Sequence, residues 1–406
     1  MTITAIKNPI ISGRGVCDPH VHIFGDCAYL YASHDVPDGD GMFTMHDWEI
    51  WKSPDLVNWT RTSVVRPETF GMGKSDNCWA VDAAEKDGKY YLYVSNGTKE
   101  TWVLTSDDPG DGFTEPLGRP ILPEGLTPTR SYDPAVFTDD DGQSYIVFGT
   151  PVWAGGDSYY IARLNDDMVS LSEAPRKIEL DDSADDKPFI HKHGGIYYLT
   201  WASFWATSDS VYGPYTTRGN LGLSADHGSF FTWRGQWFKA FTVDETIGKM
   251  RRATGLAYIH FTADGSMRAD PLIREHGVGQ YDARWNRIMA CWYMAGEGVS
   301  KRENVFSGFD VSMEAGSSLY FPNIHNMPED PYITLFGVSP RAVDVDVYEG
   351  DRLLATVHKP ASFMDGGTFS RYSVASARLP LGAGTHSLRL VSRGELLLEH
   401  IRFMAG

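Results

Sequence analysis

Asp133-Pro-Ala-Val-Phe-Thr-Asp-Asp-Asp-Gly-Gln-Ser-Tyr-Ile-Val147 is the stretch whose reading decides the fold. An apolar strand, an Asp-Gly turn and a second apolar-aromatic strand make a hairpin. The phrase recurs as Asp18-Pro-His-Val-His-Ile-Phe-Gly-Asp-Cys-Ala-Tyr-Leu-Tyr31 and as Ala80-Val-Asp-Ala-Ala-Glu-Lys-Asp-Gly-Lys-Tyr-Tyr-Leu-Tyr93. It returns as Asp186-Lys-Pro-Phe-Ile-His-Lys-His-Gly-Gly-Ile-Tyr-Tyr-Leu-Thr200, with a shorter echo at Asp226-His-Gly-Ser-Phe-Phe-Thr-Trp-Arg-Gly-Gln-Trp-Phe-Lys-Ala240. Self-similarity at intervals of roughly 40 to 60 residues marks a solenoid or a propeller, and a unit built only of strands favours the propeller.

In a propeller the first strand of each blade lines the central channel, so matching positions converge on one axis. Asp18, Asp133 and Asp186 are expected at matching positions in blades one, three and four. An Asp before Pro is also an ordinary turn at a strand entry. Three carboxylates at one channel mouth are another matter, because like charges in a cleft raise each other's pKa, a mark of functional sites. The outer strands echo one another too, at Ser53-Pro-Asp-Leu-Val-Asn-Trp59, Ser106-Asp-Asp-Pro-Gly-Asp-Gly-Phe113 and Ser208-Asp-Ser-Val-Tyr-Gly-Pro-Tyr215.

Extended helical periodicity is hard to find before residue 270. The expected architecture is all-β: a five-bladed propeller over residues 1–272, its last blade completed by the N-terminal segment, then a β-sandwich over 285–406. The second region has its own strands, at Leu319-Tyr-Phe, Tyr332-Ile-Thr-Leu-Phe, Leu353-Leu-Ala-Thr-Val, Ser387-Leu-Arg-Leu-Val and Leu396-Leu-Leu-Glu-His-Ile-Arg-Phe. Val343, Val345 and Val347 alternate with Asp344 and Asp346, the pattern of a half-buried antiparallel strand.

A chain of 406 residues exceeds the usual single-domain range, consistent with two domains. Its net charge of −17 argues against nucleic acid, whose phosphates need a basic surface. Cys17, Cys27, Cys78 and Cys291 lack metal-type spacing and are expected to be free thiols. No apolar run is long enough for a membrane span. The opening Met-Thr-Ile-Thr-Ala-Ile-Lys-Asn-Pro shows no secretory pattern, so a cytoplasmic location is the simplest expectation.

The blade motifs resemble glycoside hydrolase family 43, five-bladed propellers that hydrolyse glycosides with inversion. The resemblance implies that Asp18, in Cys-Asp-Pro-His-Val, is the general base. It implies that Asp133, in Tyr-Asp-Pro-Ala-Val-Phe, tunes the acid and positions the sugar. Trp79-Ala-Val-Asp82 stands where the family has Trp-Ala-Pro-Asp. His227 matches the blade-five histidine that often faces the channel, sometimes through calcium or a water cluster. One position departs: the family's acid is a Glu opening blade four as Glu-Gly-Pro or Glu-Ala-Pro, and here that place reads Asp186-Lys-Pro. Glu173-Ala-Pro matches the string but lies before the blade-four entry, without the strand that should follow. The C-terminal region resembles a family 6-type carbohydrate-binding module.

By this reading Asp18, Asp133 and Asp186 are the catalytic carboxylates, and Trp79, His20, Tyr132, His227 and Arg252 are the sugar-binding residues. No cofactor is expected to be required, although oxygen-rich surroundings at His227 would suit calcium. The expected substrate is an oligosaccharide with terminal α-L-arabinofuranosyl or β-D-xylosyl units. Two other classes compete. A propeller that binds sugar without cutting it would follow from loss of the standard acid, though such a protein needs neither Asp18 nor Asp133. His20-Val-His22 also matches the metal-binding His-x-His of amidohydrolases, but those are β/α barrels, and the alternating helices are missing.

Overall fold

The computed structural model describes the chain apart from residues 6, 37–42, 152–155, 183, 224–225, 247–250, 271–275, 305–307 and 363–372. Each quoted phrase forms the first hairpin of a blade. Blade one contains Val16–Phe24, Cys27–Asp35, Met45–Ser53 and Asn58–Val65, and blade two contains Cys78–Lys86, Lys89–Asn96 and Glu100–Ser106. Blade three contains Ala135–Thr138, Ser144–Thr150, Ser158–Arg163 and Arg176–Lys177. Blade four contains Phe189–His193, Ile196–Trp201, Phe204–Ser208 and Thr216–Asn220. Gly228–Trp233, Gln236–Thr246, Arg251–Phe261 and Met267–Ala269 form blade five. Three of the turns place two successive residues at positive φ, Asp87-Gly88, Gly194-Gly195 and Arg234-Gly235. That is the turn whose twist matches paired strands.

The blades bury both faces, which explains why their second strands read as unbroken apolar runs rather than alternating ones. In Lys89–Asn96, Leu92 and Val94 join a core with Tyr31, Trp48 and Ile50 of blade one. Tyr91 and Tyr93 join a second core with Ile146, Phe148 and Ala162 of blade three. A period of two therefore splits one strand between two interfaces. Each large apolar side chain so buried contributes about 1.5–3 kcal/mol.

Ring closure differs from the expected form. Blade five has four strands of its own, and the N-terminal strand Thr2–Thr4 pairs with Asn58–Val65 as a fifth strand of blade one. The segment after it fastens blade five: the Asn8 side chain both donates to Leu256 O (2.8 Å) and accepts from Leu256 N (2.9 Å), and Ile10 N donates to Thr254 O at 2.8 Å. The part of Arg251–Phe261 that Met267–Ala269 does not cover is thus satisfied by a stretch too short and irregular to show strand periodicity. Leaving it unpaired would expose a pairing edge.

The chain packs as two compact units, Met1–Phe231 with Lys239–Ala257, and Thr232–Phe238 with Tyr258–Gly406. The second unit begins inside the blade-five sequence, where the Gln236 amide donates to Cys291 O and Tyr293 O, both at 2.9 Å. The expected end of the blade region, residue 272, lies outside the described residues. Most of the second unit is one large sheet hinged on the long strand Gly308–Met327. Along one side it pairs first with Leu396–Met404 and then with Gly384–Ser392. Tyr332–Val338 and Ser373–Arg378 extend the first arm, and Val343–Glu349 and Arg352–Lys359 the second, which builds the β-sandwich. Val345 and Val347 are fully buried as their alternation implies. Asp346 is buried as well, because Arg393 (2.8 and 2.9 Å) and Thr356 (2.7 Å) cover its carboxylate. Among the described residues the helical pieces are two single turns, Pro67–Thr69 and Ala290–Trp292, together with His276.

Candidate active site

Asp18 and Asp133 each precede a proline at the entrance to an innermost strand, and both are left-handed, with φ of 50° and 55°. Aspartate tolerates this region better than most residues. In blade one the ladder slips between Cys17 and His20. Pro19 has no N–H to donate, and the bulge re-aims the aspartate out of the strand. Both carboxylates line a cavity of about 320 Å³ shared with Phe43, Met45, Trp79, Tyr132, Asp186, Lys187, Asp226, His227 and Arg252.

In blade four the register is not the expected one. The left-handed residue before Pro188 is Lys187, with φ of 75°, so Lys187 and not Asp186 is the backbone counterpart of Asp18 and Asp133. Asp186 stands one residue earlier, as the Glu does in Glu-Gly-Pro. The glycine of that motif falls where φ is positive, which is where glycine is unstrained. The carboxylates still meet, because the tighter entry turns Asp186 into the same cavity.

Electrostatics separate the acids. Arg252 donates to both Asp18 oxygens, at 2.7 and 3.1 Å, to Asp226 at 2.7 Å and to both Asp35 oxygens at 3.0 Å. Every guanidinium N–H is used, so the expected sugar-binding role of Arg252 gives way to one of holding the aspartates. Asp133 faces His227 Nε2 at 3.3 Å. Burial alone would lower the His227 pKa, but the Asp133 and Asp18 carboxylates overbalance it and raise it to about 9. Asp186 accepts from the Tyr132 hydroxyl at 3.3 Å and is ion-paired with Lys187. Burial, and then the Asp133 charge, push its carboxyl up to about 6 against the opposing pull of Lys187 and His227. One carboxyl that can carry a proton near neutrality therefore shares a cavity with another bound by a guanidinium.

The remaining sequence expectations divide. Trp79 and Tyr132 line the cavity, their rings 6.3 Å apart. His20 does not. It lies further along its strand, where His20 Nδ1 and His22 Nε2 approach Asp82 Oδ1 at 2.8 and 2.6 Å, and Asp82 also accepts from Val136 N at 2.6 Å. This group ties blades one, two and three together, and the amidohydrolase reading falls on the fold, which is all strand and not a β/α barrel. Glu173 pairs with Arg176 and Tyr212 and is not part of the cavity. The four cysteines are free. Asp35 and Lys187 carried no signal that singled them out. Asp226 was visible only as the first residue of the blade-five echo.

For the expected calcium contact at His227, one donor atom each of Asp18, Asp226 and His227 lie close enough together to hold an ion. Oxygens of Asp18, Asp133 and Asp226 stand near the imidazole, and Arg252 holds the carboxylates of the first and the last. A hard cation there would share those two carboxylates with the guanidinium and would draw on carboxylate oxygens before the imidazole nitrogen.

Comparison with known proteins shows which family the chain resembles. The profile described as "Glycosyl hydrolases family 43" matches residues 6–267. A xylosidase/arabinosidase of Humicola insolens is 30% identical over 296 residues, covering 57% of this chain and 88% of that protein. A solved β-xylosidase/α-arabinofuranosidase from a compost microbial metagenome, in complex with xylotriose and in a calcium-free form, is 26% identical with a TM-score of 0.58, covering 66% and 98% of the two chains. The Bacillus subtilis arabinoxylan arabinofuranohydrolase, solved with cellotetraose, shares the fold across 99% of both chains with a TM-score of 0.59 at 20% identity.

Proposed function

The chain belongs to glycosyl hydrolases family 43, and from that premise we propose that it is an exo-acting, inverting glycosidase. It removes α-L-arabinofuranosyl or β-D-xylosyl units from the ends of oligosaccharides. Relatives named xylosidase and arabinosidase support the sugar class. The cavity, about 320 Å³, is near the lower end of ligand sites, which span about 300–1,000 Å³. That size suits one terminal ring better than a polymer running through.

Asp18 is the general base and Asp186 the general acid. A water on one face of the sugar gives its proton to Asp18 as its oxygen bonds to the anomeric carbon. Asp186 gives its proton to the glycosidic oxygen, which leaves with the electron pair of the broken C–O bond. Asp133 lies between them in function: its charge keeps the Asp186 proton in place near neutrality and keeps His227 protonated. Tyr132 orients Asp186 through its hydroxyl, and Trp79 forms part of the wall against which the ring packs.

The observation that carries this reading is the split environment of the two carboxyls. Asp18 is clasped by Arg252, and Asp186 is raised to about 6 by burial and by Asp133. That difference in surroundings supports Asp186 as the acid and Asp18 as the base. A panel of aryl glycosides, with the released anomer followed by NMR, tests the proposal. Release of the inverted anomer from an arabinofuranoside or xyloside is expected. A retained anomer, or binding without turnover across the panel, contradicts it.

A further inference from the structure

Lys187 occupies a backbone position that favours glycine, at φ 75° directly before Pro188. A lysine there is strained, and a turn at a strand entry has no need of it. Its side chain is 12% exposed and lines the cavity. The ammonium ion-pairs with Asp186 Oδ1 and donates to Asp185 Oδ2 at 3.0 Å. A strained backbone thus delivers a largely desolvated cation onto two carboxylates, one of them the acid that is a methylene shorter than the family's.

We propose that Lys187 is a positioning residue for the acid, fixing the direction of the short Asp186 side chain and stabilising the carboxylate left after proton transfer. The inference rests on the reading of Asp186 as the general acid. As the Asp186 proton passes to the glycosidic oxygen, negative charge appears on Asp186. Lys187 Nζ is already in contact with it, and a fixed cation at the site of developing charge needs no reorganisation during the step. A glutamate would reach the bond by length. Aspartate loses about 1.5 Å of reach, and hydrogen-bond contact of about 2.6–3.2 Å leaves little room for a wandering side chain.

The groups facing Asp186 make the consequence specific. Tyr132 and Asp133 approach from the entrance to blade three and His227 from blade five, while Tyr159 of blade three lies behind it with its hydroxyl on Asp185 O. Asp185 and Lys187 flank it in sequence, and Asp226 acts on Lys187. Lys187 is the largest downward influence on the acid among these neighbours, ahead of His227. Burial opposes its own charge, but Asp186 and Asp226 overcome that and hold it well above the ordinary lysine range, so it stays cationic.

The test compares pH–rate profiles of the wild type, Lys187→Met, Lys187→Gly and Lys187→Arg on a disaccharide and on a nitrophenyl glycoside. Loss of the cation should move the basic limb upward by about 1–3 pH units, as expected for an opposite charge within about 4–6 Å. Disaccharide turnover should fall by at least about tenfold, short of the roughly 10²–10³ lost with a donor bound directly to an oxyanion. Nitrophenyl turnover should fall less, and Lys187→Arg should keep the wild-type limb. Lys187→Gly guards against misfolding, because glycine is at ease at this φ. A basic limb that stays put in both neutral variants overturns the proposal. Asp186→Asn separates it from the reading beneath: a limb that persists in that variant removes Asp186 as the acid, and this proposal with it. A limb that vanishes there but does not move in Lys187→Met sinks the lysine proposal alone.

Discussion

Arg252 clasps Asp18 by both carboxylate oxygens, at 2.7 Å from Nη1 and 3.1 Å from Nη2, from a position 234 residues further along the chain. The same guanidinium reaches Asp35 and Asp226, so one cation, 2% exposed, neutralises part of three acids. The proposed base is therefore not aimed by its own strand alone. Its direction depends on a residue of blade five.

Arg252→Met should destabilise the protein by about 3–5 kcal/mol, the range for stripping one partner from a buried ion pair. Denaturant unfolding measures it. Arg252→Lys should recover only part of the loss, since an ammonium has three donors for a site that uses five. A Met variant as stable as the wild type would show that the three carboxylates take up protons or water at little cost.

Asp18→Asn should retain sugar binding and lose turnover by about 10²–10⁴, the contribution usual for a general base. Isothermal titration with xylose or arabinose and single-turnover kinetics separate the two effects. Near-normal turnover of an oligosaccharide by this variant would place the base elsewhere.

His227 carries a raised pKa, so its contribution to stability is fully present below about pH 6.5 and is lost as pH rises through about 9. Thermal melts of the wild type across pH 6 to 10 should decline through that window. In His227→Gln the same decline should be shallower, and the difference between the two curves isolates this residue from other buried groups such as Lys239. Parallel curves would mean that the Asp133 contact does not hold the imidazolium.

Trp79 donates from Nε1 to Phe43 O at 3.0 Å and accepts a bond from the Trp48 indole on its own carbonyl. Only the first of these is lost in Trp79→Ala. The variant should therefore raise KM more than it lowers kcat, with little change in melting temperature. A large fall in melting temperature with unchanged KM would make it a wall of the fold and not of the sugar site.

The hairpins, their number and the residues at their channel ends were legible from residue types alone. Turn pairs such as Asp87-Gly88 and the alternation within Lys89–Asn96 depend only on neighbours a few residues away, and short-range chemistry is written in short-range sequence. The acidic positions Asp18 and Asp133 were legible for the same reason, since Asp before Pro at a strand entry is a local turn. The one-residue offset of Asp186 could have been read as well, from the place of Pro188. In these three copies the proline, not the aspartate, keeps the register.

Ring closure decided the rest. No local pattern brings Asp18, Asp35 and Asp226 to Arg252, because the bonds from Arg252 to Asp18 and Asp35 span 234 and 217 residues and form only when blades one and five meet. Nor could strand periodicity separate His20, turned to Asp82, from a histidine in the cavity, since either lies on the channel side of its strand. The proton affinities of Asp186 and His227 belong to this level too. Both come from burial set against charges on other blades, and desolvation is a property of the closed ring rather than of any segment within it.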